Sequence, residues 1–211
     1  MKARYVEYGG KLALICLVCM LGVGGTYVMA VDRIAEGKAA AVYGAITAVL
    51  MASDDEPVPA MDELTEKDGV YLYTTPDGEK RYAAQGRHQG FSGKVVVAVG
   101  AREKDGKLMI LRMRVISQTE TPGLGTRIAE QSSNLTLWTK IGSTFGVEVT
   151  EEKPFPFLDQ YDGKSIENLM LTGDASEAET RIVKITGVTI SSNAATEAAK
   201  KALTSIQEYL R

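Results

Sequence analysis

The sequence predicts an α+β fold preceded by one membrane-spanning helix. Four segments that read as strands follow one another in the middle of the chain, at Val70–Tyr73, Lys80–Ala84, Val95–Gly100 and Leu108–Ser117. The segment Ser192–Arg211 instead repeats its apolar residues with the period of a helix. Because the strands are grouped and the helices lie at the ends, an antiparallel sheet is favoured over an alternating parallel α/β sheet.

Short turns connect these strands in pairs. Thr75–Gly78 and Lys104–Lys107 each contain an Asp-Gly step, which supplies the positive φ angles that tight hairpin turns require. We therefore expect two antiparallel hairpins, each closed by a tight turn.

An uncharged apolar segment, Leu12–Val31, lies near the N-terminus. Its 20 residues are long enough, at about 1.5 Å per residue, to cross a hydrocarbon core of about 30 Å. Lys2, Arg4 and Lys11 precede it, so the positive-inside rule predicts a cytoplasmic N-terminus and an extracytoplasmic C-terminal domain. A cleaved signal peptide ending near Val28–Ala30 is the alternative.

Three regions follow from this organisation. Residues 1–31 form the cytoplasmic N-terminus and the span, 32–60 a juxtamembrane helix and linker, and 61–211 the folded domain. The linker is assigned to Asp54–Pro59, where charge and proline stop a helix. Less distinct patterns suggest a helix at Asn134–Phe145 and a short strand or helix at Gly163–Met170.

The composition excludes several classes of function. The net charge is -3 and the basic residues are scattered, so no nucleic-acid surface is expected. His88 is the lone histidine, which leaves no His-based metal site or catalytic triad. Cys16 and Cys19 share one face of the span, but two thiols do not complete an iron–sulfur site, and we interpret them as packing residues. We predict neither catalytic residues nor a metal site.

A cluster of hydroxyl residues, Thr186–Ser192, connects an apolar strand at Ile182–Ile185 to the C-terminal helix. The N-terminus of a helix carries unpaired N–H groups and a partial positive charge, which together favour a phosphate. The alternative interpretation is that Ser191, Ser192 and Asn193 are only helix-capping residues.

The order Thr186-Gly187-Val188-Thr189, followed by Ile190 and Ser191, resembles the flavinylation motif of the FMN-binding domain family. The resemblance implies that a flavin transferase links the phosphate of FMN covalently to Thr189. Members of that family usually carry alanine where this chain has Val188, and an acidic residue where it has Val183.

A second segment, Glu120-Thr121-Pro122-Gly123-Leu124-Gly125, is similar to a loop of the same family. Taken alone it also fits an ordinary Pro-Gly turn. The resemblance implies a flavin-contact loop in which glycines let backbone approach the ring, Leu124 gives an apolar surface, and Glu120 and Thr121 contact the ring edge. Gly90–Gly93 also resembles the family, and we assign it a structural role.

The order of elements resembles that of the G subunit of Rnf electron-transport complexes and, less closely, the C subunit of sodium-pumping NADH:quinone oxidoreductases. This implies an electron carrier in a bacterial or archaeal cell (inner) membrane, whose partners are other membrane subunits of an ion-translocating redox complex. Two alternatives remain open: a free-standing membrane-anchored flavoprotein, and a binding or assembly module that never receives FMN.

Overall fold

The computed structural model describes residues 2–53, 56–129 and 157–211, with side chains from Tyr8 onwards. These residues form two compact units, Met1–Ala41 and Val42–Arg211. The second unit therefore begins before residue 61, the boundary expected from the sequence. The helix predicted at Asn134–Phe145 lies outside the described residues.

The N-terminal helix, α1, runs without interruption over Lys2–Leu50. In the described part of the chain it is the one helix long and apolar enough to cross a membrane, over Tyr8–Leu50. The side chains from Tyr8 to Met29 are all exposed, and most of the large ones are apolar. A surface of this kind suits lipid rather than water.

The second unit contains an antiparallel meander of five strands and a C-terminal helix, and this combination confirms the α+β prediction. Each strand pairs with the next one along the chain. The strands are β1 (Thr65–Lys67), β2 (Val70–Thr74), β3 (Lys80–Gln89), β4 (Lys94–Lys104) and β5 (Lys107–Ser117).

The turns agree only partly with the sequence prediction. Asp105 and Gly106 form a two-residue turn with φ angles of 54° and 73°, as expected for an Asp-Gly hairpin. The β2–β3 turn is wider than predicted, because Thr74 pairs with Lys80 and only Gly78 has a positive φ angle. The unpredicted hairpin of β1 and β2 turns on Asp68-Gly69, the same Asp-Gly signal.

The C-terminal helix, α2, covers one face of the sheet. It spans Thr189–Tyr209, so it begins three residues before the predicted start at Ser192. At Gly86 of β3 the two elements meet backbone to backbone, since an added Cβ would lie 2.7 Å from the carbonyl carbon of Ala198. The buried residues between them include Tyr82, Ala84, Val97, Val99, Ala194, Ala195, Ala199, Leu203 and Ile206.

Two short segments lie before α2. Strand β6 (Leu171–Thr172) pairs in parallel with β7 (Ile182–Val183), so the strand predicted at Ile182–Ile185 is present but shorter. The region Gly163–Met170 contains a 3₁₀ helix at Ile166–Asn168.

The end of α1 packs on the sheet residues that alternate with those facing α2. Ile46, Val49 and Leu50 are buried against Tyr73, Ala83 and Ala98. Side chains alternate between the faces of a strand, so the last turns of α1 cover the second face of the sheet. The second unit therefore includes Val42–Leu50.

Arg81 closes the C-terminal end of α1. Its buried guanidinium donates to the carbonyl oxygen of Leu50 over 2.9 Å and to both carboxylate oxygens of Glu56, at 2.6 and 3.1 Å. It also donates to Glu79 over 2.7 Å. The hydrogen bond from Arg81 holds the pKa of Glu56 below its ordinary value. For Glu79, burial raises the pKa, but bonds from Arg81 and Arg102 outweigh it and the net direction is downward.

These lowered pKa values predict a loss of stability in acid. A carboxyl whose folded pKa lies below 4.5 stabilises the fold above that pH, and the contribution disappears as pH falls through the folded pKa. We expect Glu56→Gln to flatten the fall in Tm of the full chain in detergent between about pH 5 and pH 3. The exposed Glu208 provides the control, Glu208→Gln, which should keep the wild-type slope. Equal slopes for all three proteins would contradict the role of the Arg81–Glu56 pair.

Candidate functional site

A cavity of about 370 Å³ lies in the second unit, at the N-terminus of α2. Its volume falls in the range of small-molecule sites, about 300 to 1,000 Å³. Three segments that are distant in sequence meet there, and the residues around it are Phe91, Glu120, Thr121, Leu124, Gly125, Gly187, Val188, Thr189, Ile190 and Ser191. Nine of the eleven predicted site residues thus line one cavity, whereas Gly123 and Thr186 do not.

The loop after β5 folds back on itself through its own backbone. The N–H groups of Leu124 and Thr126 both donate to the carbonyl oxygen of Thr121, at 3.1 and 3.3 Å. Gly123 has a φ angle of 73°, a conformation that side chains disfavour, and its N–H donates to the hydroxyl of Thr126 over 3.0 Å. This glycine therefore shapes the turn from outside the cavity lining.

Gly125 is required for packing within the protein. A Cβ there would lie 2.6 Å from the Cβ of Glu120 and 2.8 Å from the Oγ of Ser191. From the sequence we expected the backbone of this loop to approach a bound ring. At Gly125 the backbone instead packs closely against the side chains of Glu120 and Ser191.

Glu120 joins the three segments that form the cavity. The residue is only 5% exposed. Its Oε1 accepts from the N–H of Ser92 over 3.2 Å, and its Oε2 accepts from the hydroxyl of Ser191 over 2.6 Å. Both oxygens are therefore engaged inside the protein, whereas the sequence suggested a polar contact to a bound ring. A further hydrogen bond, at 3.3 Å, joins the hydroxyls of Ser92 and Thr121.

The four hydroxyl residues of the Thr186–Ser192 segment have different surroundings. Ser192 is fully buried, and its Oγ accepts from the N–H of Ile185 over 3.3 Å. Ser191 is buried against Glu120. Thr186 and Thr189 are exposed, but Thr186 lies off the cavity. Of these four described side chains, Thr189 alone is both exposed and part of the cavity lining.

No side chain caps the N-terminus of α2 by accepting a hydrogen bond from its first N–H groups. Val188 occupies the N-cap position, and valine has no polar side-chain atom. Ser191 and Ser192 lie inside the first turn, so the interpretation of these residues as caps is wrong. Within the described ranges, the N–H groups of Thr189, Ile190 and Ser191 have no hydrogen-bond partner, an arrangement that suits a phosphate.

Apolar side chains surround the rest of the cavity, and they are unusually exposed. Phe91 is 70% exposed, and Leu124 and Ile190 are each 54% exposed. A flat aromatic ligand would cover such side chains and remove their apolar surface from water. Phe91 was missed as a site residue, although an aromatic residue in the short Gly90–Gly93 turn is a detectable signal.

The buried position of Val188 explains why valine can replace the alanine that is usual in the family. It is 4% exposed and belongs to the core beneath α2, so its extra methyl groups relative to alanine fill buried space. Val183 is half-buried in β7, where its N–H donates to the side-chain oxygen of Gln160 over 2.8 Å.

Comparison with known proteins places the site in context. The family model described as "FMN-binding domain" matches residues 90–204. The fold is similar to the crystal structure of the C subunit of the Na(+)-translocating NADH-quinone reductase from Parabacteroides distasonis, at 19% sequence identity and a TM-score of 0.45. That similarity covers 67% of this chain and 61% of the other. A search of curated protein sequences finds no match.

Proposed function

This chain belongs to the FMN-binding domain family, and from that membership we propose that it carries FMN on Thr189 and relays electrons as a subunit of a membrane redox complex of the Rnf type. The observation that carries the proposal is the position of Thr189. This residue is exposed, lines the cavity and begins the uncapped helix α2.

The residues of the cavity fit the two parts of FMN. The free N–H groups at the start of α2 suit the phosphate next to Thr189. Phe91, Leu124 and Ile190 suit the ring, because they are apolar, exposed and face one cavity. When bound, FMN supplies the ability to take up and release one or two electrons, while the chain fixes its position and excludes water from one side. This role needs neither a catalytic acid–base pair nor a metal ion from the chain.

Membrane attachment is proposed through residues 12–31 of α1, in a bacterial or archaeal cell (inner) membrane. The partners would be the other membrane subunits of the complex, together with the flavin transferase that modifies Thr189. Covalent attachment suits an extracytoplasmic flavin, because a cofactor that dissociated there would be lost from the cell.

The test is flavin fluorescence of the denatured full chain, purified from cells that contain a flavin transferase. We expect a fluorescent band in a denaturing gel and a mass increase that corresponds to one FMN phosphoester. A folded chain with no fluorescence and no added mass would support the alternative of a binding or assembly module without flavin.

Topology gives a separate prediction. Lys2, Arg4 and Lys11 precede the apolar segment, so the domain after it should lie outside the cytoplasm. A reporter enzyme that is active only outside the cytoplasm should work when fused after Arg211 and fail when fused before Lys11. The reverse pattern would show that the domain faces the cytoplasm.

A further inference from the structure

Two hydroxyl residues of α2 line the same cavity, two positions apart. Thr189 and Ser191 both border it, and the hydroxyl of either residue can form a phosphoester. They differ in access, since Thr189 is exposed and Ser191 is 3% exposed. Because either hydroxyl could form the same phosphoester, the choice between them requires a structural cause.

That cause is the side chain of Glu120. Its Oε2 lies 2.6 Å from the Oγ of Ser191, and the backbone of Gly125 approaches both groups so closely that a Cβ there would lie 2.8 Å from the same Oγ. A carboxylate can activate a hydroxyl, but only where the phosphorus atom can approach the oxygen. Here that approach is filled by Glu120 and Gly125.

The carboxylate is held in place independently of Ser191. Its Oε1 accepts from the N–H of Ser92 over 3.2 Å, and its side chain is packed under Gly90, where an added Cβ would lie 3.0 Å from the Cδ of Glu120. The cover over Ser191 is therefore fixed to a neighbouring loop and does not depend on the hydroxyl that it covers.

We propose that Glu120 is the specificity-determining residue of the modification, because it closes off Ser191 and leaves Thr189 as the acceptor. This inference rests on the proposed function. In the step concerned, the hydroxyl oxygen of Thr189 forms a bond to phosphorus, and the phosphoanhydride bond of a flavin dinucleotide breaks. A nucleoside monophosphate leaves, the hydroxyl proton passes to a base of the transferase, and no electrons are exchanged. The same balanced reaction is available to Ser191, so access decides the outcome.

The experiment maps the flavin peptide in variants of the full chain, produced with the transferase. Thr189→Ala should carry no covalent flavin, whereas Thr189→Ala with Glu120→Ala should gain flavin on the peptide containing Ser191. Thr189→Ala with Glu120→Gln should stay unmodified, because glutamine keeps the cover, can accept from Ser92 and can donate to Ser191. The exposed Glu208 gives the matched control, and Thr189→Ala with Glu208→Ala should also stay unmodified.

Hydrogen exchange supplies a readout that does not depend on flavin. Loss of the bond to Glu120 should raise exchange of the Ser92 amide about tenfold in Glu120→Ala, while Glu120→Gln should keep it slow. If Glu120→Ala loses its cooperative thermal transition, Glu120→Ser replaces it with a polar side chain that is too short to cover Ser191, and the same results are expected.

The outcomes separate this inference from the proposed function. A wild-type chain without covalent flavin overturns both. A wild-type chain loaded on Thr189 retains the proposed function, and the inference is then overturned if Ser191 stays unmodified when Glu120 is replaced. Flavin on Ser191 in Thr189→Ala with Glu120 intact also overturns it.

Discussion

Thr189→Ala is expected to abolish covalent flavin while the domain stays folded. The side chain is exposed, and it lies at the first position of α2, where alanine is a good helix former. The substitution therefore removes the acceptor oxygen without opening the core. The measurements are flavin fluorescence in a denaturing gel, the intact mass, and the Tm of the full chain in detergent. We expect complete loss of the flavin fluorescence and of the mass added by FMN, with little change in Tm.

Thr204→Ala is the matched control for this prediction. Thr204 is also an exposed threonine of α2, but it lies outside the motif and off the cavity. This variant should keep full covalent loading. Retention of flavin in Thr189→Ala would show that another residue is the attachment site, and loss of flavin in Thr204→Ala would show that the effect is not specific to the hydroxyl of Thr189.

Gly86→Ala is expected to destabilise the domain by about 3 kcal/mol or more, the upper end of the cost of overpacking. The added Cβ would overlap the carbonyl oxygen of Ala198 and lie 3.0 Å from the amide nitrogen of Ala202. Both are backbone atoms of α2, so no side-chain rotation can relieve the overlap. The helix must move away from β3, and the buried surface between them is then reduced. Chemical denaturation of the full chain in detergent, monitored by circular dichroism, measures the change.

Gly173→Ala separates this effect from a general cost of replacing glycine. Its Cβ would meet only the end of the Lys184 side chain, with the Cε at 3.4 Å and the Nζ at 3.8 Å, and the end of a lysine side chain moves freely. We expect less than about 1 kcal/mol for this variant. Equal stability of the two variants would show that β3 and α2 pack less closely at Gly86.

The elements of the fold were predictable where the signal is local. The segments on either side of the two Asp-Gly steps identified β2 to β5, and the Asp-Gly step identified the turn at Asp105-Gly106, because φ preference and side-chain alternation act within a few residues. The wider β2–β3 turn was not predictable from its Asp-Gly step. Its shape depends on pairing between Thr74 and Lys80, which the two strands set together.

The N-terminal helix shows the same limit. Its composition predicts a span, since hydropathy is a property of the segment itself. The prediction continued the helix to a linker at Asp54–Pro59, close to its observed end at Leu50. It did not give the surface on which the last turns are buried or the binding of the helix end by Arg81. Arg81 is 31 residues further along the chain, and nothing local in the sequence pairs the two.

The sequence by itself determined most of the residues that line the cavity, through two short motifs around Thr189 and Glu120, and it missed Phe91. Only the tertiary structure decided how they are used. Burial separates Thr189 from Ser191, and the position of Ser92 turns Glu120 inward. Access and hydrogen bonding of these groups depend on contacts between segments 28 to 71 residues apart, so they arise only when the sheet and α2 have packed.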